Sequence, residues 1–78
     1  MIRIIRAVLM TSKLSFTYNE EEEYHIFKYN GNILQIKDNQ LILNNKRVEV
    51  EEVLKSIRKA ELRWNYYRNV YIRNINVS

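Results

Sequence analysis

Apolar and polar side chains alternate clearly in the middle of the chain. Leu14, Phe16 and Tyr18 alternate with Lys13, Ser15, Thr17 and Asn19, the period-two pattern of a strand with one buried face. Tyr24 to Tyr29 and Asn32 to Lys37 flank Asn30-Gly31, a pair suited to a two-residue hairpin because both residues tolerate positive φ. Asp38-Asn39 supplies a second tight turn into Gln40 to Leu43, and Asn44-Asn45 a third into Lys46-Arg47-Val48. Two-residue loops at the first two of these turns place Phe27 opposite Leu34, His25 opposite Ile36, Ile36 opposite Leu41 and Leu34 opposite Leu43. A four-residue Glu20 to Glu23 loop pairs Asn19 with Tyr24 and Phe16 with Phe27. Leu14, Phe16, Tyr18, Phe27, Leu34, Ile36, Leu41 and Leu43 then share one face of an antiparallel meander. A slip of one residue at any turn would break that agreement.

After the meander the period changes. Val50, Val53, Leu54, Ile57, Ala60 and Trp64 recur at steps of three and four, the stripe of an amphipathic helix over about 50–64 that lies on the apolar sheet face. Glu49, Glu51 and Glu52 stand at its start, with Lys55, Arg58, Lys59 and Arg63 further along, as the helix dipole favours. Beyond Trp64, Asn65 reads as a left-handed cap. Tyr66, Tyr67, Val70, Tyr71, Ile72, Ile75 and Val77 favour a final strand over about 67–77, with a longer helix as the competing reading. Ile2 to Met10 is apolar on both parities apart from Arg3 and Arg6, which fits a two-faced strand or a short helix, the strand being preferred. The expected fold is therefore one small α+β domain over 1–78, a mostly antiparallel meander of four to six strands packed on one helix.

Composition narrows the function classes. A 78-residue chain has a modest core, and without cysteine it has neither disulfide staples nor thiolate metal sites. No apolar run approaches the roughly 20 residues of a membrane-spanning helix, and Met1 to Met10 lacks the features of a signal peptide. The expected setting is the cytoplasm of a host cell, with no membrane partner. Heavy use of Asn, Ile, Lys, Tyr and Phe, all encoded by AT-rich codons, suggests a virus or other mobile element.

With one histidine, one aspartate and one glycine, neither a Ser-His-Asp arrangement nor a glycine-rich phosphate loop has its components in favourable supply. His25 reads as a packed sheet histidine. No enzymatic activity, cofactor or metal is expected, since the Glu20 to Glu23 run lacks the spaced oxygen ligands and turn glycine of a calcium loop.

Two binding readings remain. The net charge of +4 arises wholly after residue 43, because Arg3, Arg6, Lys13, Lys28 and Lys37 cancel Glu20 to Glu23 and Asp38. The leading expectation is a protein-binding module that inhibits or modulates a host complex, such as an antiviral defence nuclease or nucleoprotein. It would use the acidic knob Glu20, Glu21, Glu22 and Glu23, with Leu62, which lies off the helix's main stripe, and Tyr66 in the apolar surface near the helix end. A homodimer joined through the chain's last segment would also cover such surface. The alternative is nucleic-acid binding, DNA or RNA, through Arg58, Lys59, Arg63, Arg68 and Arg73 among Trp64, Tyr66, Tyr67 and Tyr71. Arginine neutralises phosphate and aromatic faces stack on unpaired bases. In outline, a meander on a helix resembles the sheet-reading DNA-binding domains of some phage integrases. Those depend on basic residues along the exposed sheet face, where this chain places only Lys28 and Lys37.

Overall fold

The computed structural model describes residues 1–77; for Asn65 and for residues 67–77 it describes the backbone helix alone. Helix α1 (Ile2–Thr11) precedes strands β1 (Phe16–Glu21), β2 (Tyr24–Tyr29), β3 (Asn32–Lys37), β4 (Gln40–Leu43) and β5 (Lys46–Val48), and helix α2 (Val50–Val77) follows. The strands pair with their sequence neighbours in the order β1-β2-β3-β4-β5, an antiparallel meander. The α+β architecture read from hydropathy is thus the observed one.

Turn chemistry sets this topology. Asn30, Asp38, Asn39, Asn44 and Asn45 all adopt positive φ, with Gly31 at +80°, so three of the four hairpins turn on residues that reach the left-handed region at low cost. Their register is the expected one, with Phe27 opposite Leu34, His25 opposite Ile36 and Leu34 opposite Leu43. At the first hairpin the structure corrects the expectation. Glu21 pairs with Tyr24 and Phe16 with Tyr29, so the loop is Glu22-Glu23 alone. The shift is two residues, an even number, so every side chain keeps its face while the strands gain ladder pairs. That tightness places Glu22 at φ 53°, an uncommon conformation for a glutamate.

One face of the sheet is covered. Phe27, Tyr29, Leu34, Ile36 and Leu41 are buried there against Ile5 and Leu9 of α1 and Val53, Ile57 and Ala60 of α2. Phe27 is the centre of an aromatic cluster, with the Tyr18 ring centroid 4.9 Å away and that of Phe16 at 6.3 Å.

Residues 2–10 are helical, not a strand. Ile2, Ile5, Val8 and Leu9 fall at helical spacing and turn inward, leaving Ile4 and Met10 exposed. As a strand the segment would need cover on both faces, whereas a helix needs it on one. Thr11 and Ser12 end the helix, their hydroxyls donating to the carbonyls of Val8 and Leu9 at 3.0 and 2.7 Å.

The expected strand over 67–77 is likewise a helix, continuous with α2 past Trp64 and Asn65. No proline or glycine lies between Val50 and Val77 to stop it. The aromatic and β-branched residues there each disfavour helix by no more than about 0.7 kcal/mol. A strand, by contrast, needs a neighbour for its backbone hydrogen bonds, which a helix satisfies internally. At about 1.5 Å per residue the 28-residue α2 is roughly 42 Å long, about twice the length of the strands it crosses.

Candidate functional site

Strand order and chain direction sort the charges. The β1–β2 and β3–β4 turns lie at one end of the sheet, bringing Glu20, Glu21, Glu22, Glu23 and Asp38 together. Strand β5 returns to that same end, since Val48 pairs with Leu41, so α2 begins there with Glu49, Glu51 and Glu52. Every acidic residue except Glu61 therefore gathers at one end. Helix α2 then runs toward the opposite end, where the Asn30-Gly31 and Asn44-Asn45 turns lie, carrying Lys59 and Arg63 with it.

Four hydrogen bonds hold this second end in shape. The Tyr29 hydroxyl and Ser56 Oγ are hydrogen-bonded at 2.9 Å, joining α2 to the last residue of β2. Burial raises the Tyr29 pKa above its usual value, against the opposing pull of the Ser56 bond, so this hydroxyl stays protonated at neutral pH. Eight residues later the Trp64 indole N–H donates to the Lys13 carbonyl at 2.9 Å, pinning α2 to the α1–β1 connection. Across the sheet, Asn44 Oδ1 accepts from the Ile33 N–H at 2.9 Å while its amide nitrogen donates to Asn32 Oδ1 at 3.0 Å. The β2–β3 turn and the helix are thereby fixed relative to each other.

Between them lies a cleft of about 340 Å³, lined by Asn30, Gly31 and Asn32 on the turn and by Ser56, Lys59, Ala60 and Arg63 on the helix. Ser56, Lys59 and Arg63 stand at i, i+3 and i+7, one side of α2. A second depression of about 390 Å³ adjoins it, sharing Asn30 and Arg63 and adding Leu14, Ser15 and Trp64. A third lies across the turn and includes Lys28 and Thr17. No carboxylate lines any of the three. Two cations, a hydroxyl and two side-chain amides around one cleft make a surface suited to an oxyanion.

The residues singled out in the sequence divide accordingly. Lys59 and Arg63 converge on the cleft, whereas Arg58 is exposed but lines neither that cleft nor its neighbour. The side chains of Arg68 and Arg73 lie outside the described residues. Leu62 and Tyr66, 62% and 65% exposed, stand one turn apart on α2.

Only Glu22 and Glu23 of the acidic run form the loop. Glu20 and Glu21 are strand residues, Glu21 accepts from the Asn19 side chain at 3.1 Å, and Glu23 pairs with Lys37 at 2.9 Å. The hydrogen bond and charge of Lys37 lower the Glu23 pKa, and Glu23 in turn raises that of Lys37. All four carboxylates stay solvent-exposed.

His25 sits beside Tyr18, its Nδ1 2.6 Å from the tyrosine hydroxyl, with the Arg6 guanidinium 4.5 Å from the Tyr18 ring centre. Among the described residues no three of His, Asp and Glu come together to hold a metal ion. No helix of the described residues is long and apolar enough to cross a membrane.

Asn30, Asn32 and Ser56 were not candidates from sequence. Asn-Gly announces a turn, and only its packing against α2 makes it one wall of a cleft. The spacing of Ser56, Lys59 and Arg63 was the available signal. No protein-family model, curated protein or solved structure matches this chain.

Proposed function

We propose that the protein is a non-enzymatic nucleic-acid-binding protein that grips the phosphodiester backbone at the end of the sheet bearing Lys59, Arg63 and Lys28. The observation that carries this reading is the carboxylate-free cleft between the Asn30-Gly31 turn and α2, with Lys59 and Arg63 of the helix on its wall. The segregation of acidic residues to the opposite end supports it, because that arrangement orients the molecule toward a polyanion before contact.

Titration of a fluorescent oligonucleotide by anisotropy tests the proposal. Each phosphate neutralised on a single strand contributes about −0.7 to the slope of log affinity against log salt, so three contacts give a slope of roughly −2. Lys59→Glu with Arg63→Glu should abolish binding, while Glu20→Lys with Glu22→Lys should preserve it. Absence of binding by the native protein at low salt refutes the proposal.

A second reading rests on a different observation, the exposed pair Leu62 and Tyr66 on α2. It is the protein-binding module expected from sequence, with a host protein or nucleoprotein docked on α2 rather than on the acidic tip. The virus or mobile-element origin and the role as inhibitor belong to this reading.

A further inference from the structure

The two adjoining depressions at the basic end differ in character, and that difference bears on the kind of nucleic acid bound. The first is polar, with Lys59, Arg63, Ser56 and the turn amides around it. Its neighbour has apolar walls in Leu14 and Trp64 and shares Arg63 and Asn30 with the first. The Trp64 side chain is 39% exposed, and its N–H bond to the Lys13 carbonyl fixes the indole orientation at the cleft wall. A charged cleft sharing two residues with an aromatic one matches the two parts of a nucleotide, a phosphate and a base.

Resting on the nucleic-acid reading, we infer that this end of the molecule is a subsite for an unpaired nucleotide, with the phosphate between Lys59 and Arg63 and the base against Leu14 and Trp64. The ligand class is therefore a single strand of DNA or RNA. In a duplex the bases are stacked and paired, so none is free to enter the second depression while its phosphate occupies the first. Stacking on an aromatic ring tolerates any base, so the subsite selects for strandedness and not for sequence. Lys28, on the far side of the Asn30-Gly31 turn, is placed to meet a neighbouring phosphate of the same strand.

The chain contains one tryptophan, so emission excited at the long-wavelength edge, beyond tyrosine absorption, reports on Trp64 alone. The native protein is titrated with an oligothymidylate and, separately, with a duplex of equal length, following both anisotropy of the labelled nucleic acid and tryptophan emission. The expected result is at least tenfold tighter binding of the single strand, with saturable quenching of Trp64. Duplex binding of equal affinity, or single-strand binding that leaves the emission unchanged, overturns the subsite and leaves nucleic-acid binding standing. Failure to bind either probe overturns both. Trp64→Phe should keep most of the single-strand preference, and Trp64→Ala should lose it while duplex affinity stays within about twofold.

Discussion

Truncating Phe27 to alanine tests the packing on which the whole arrangement depends. Its side chain is fully buried, faces Leu34 across β3, and lies between the rings of Tyr18 and Phe16 beneath the two helices. Phe→Ala at a core position costs about 3–5 kcal/mol, and the two aromatic contacts, each worth roughly 0.5–1.5 kcal/mol, place this site in the upper part of that range. A chain of 78 residues at roughly 0.05–0.15 kcal/mol per residue has a total stability of about 4–12 kcal/mol. The variant should therefore lose at least about a third of the native stability, and all of it if the total lies at the low end of that range. Urea unfolding followed by circular dichroism measures this, with the midpoint falling by several molar at a slope near 1 kcal/mol per molar. The adjacent Ile26 points to the uncovered face of the sheet, so Ile26→Ala should cost less than about 1 kcal/mol. Equal losses from the two substitutions would refute the assignment of faces, and with it the position of α2 over the sheet.

Two other substitutions follow from the geometry. Gly31 holds φ +80°, and a Cβ added there meets nothing within 4 Å, so Gly31→Ala should cost only the backbone term of about 1–2 kcal/mol in urea unfolding. A loss beyond about 3 kcal/mol would mean a steric clash and a different turn. Tyr29 has its pKa raised by burial, so above about pH 10 the unfolded chain releases this proton while the folded one keeps it. The stability it contributes is therefore complete below that pH and lost as pH rises through the folded value. Tyr29→Phe should cost about 0.5–1.5 kcal/mol at pH 7 for the missing Ser56 bond and flatten part of the alkaline decline. An unchanged alkaline decline in urea midpoints measured from pH 8 to 11 refutes the burial argument.

Strands β2 to β5 were legible because their signals are local. Alternation assigns each side chain a face, and Asn30-Gly31, Asp38-Asn39 and Asn44-Asn45 turn the chain through conformations that their own side chains permit. The first hairpin was legible in its faces but not in its register. Glutamates carry no turn preference, so the loop length was decided by the ladder pairs gained when Glu20 and Glu21 join β1.

The two ends of the chain depended on more distant partners. Residues 2–10 and 66–77 hold apolar side chains compatible with either period; for 2–10 the choice rests on the sheet surface that covers Ile5 and Leu9, and for 66–77 on backbone hydrogen bonds, which a helix satisfies internally. Only one sheet face accepts helices, and α1 and α2 share it. The candidate site shows the same division. Sequence alone marks Lys59 and Arg63 as cations and Asn30-Gly31 as a turn. Their meeting, more than 25 positions apart, follows from the meander returning β5 to the acidic end, so that α2 must run back along the sheet to the turn. Charge segregation and the cleft are consequences of that path, which no local pattern encodes.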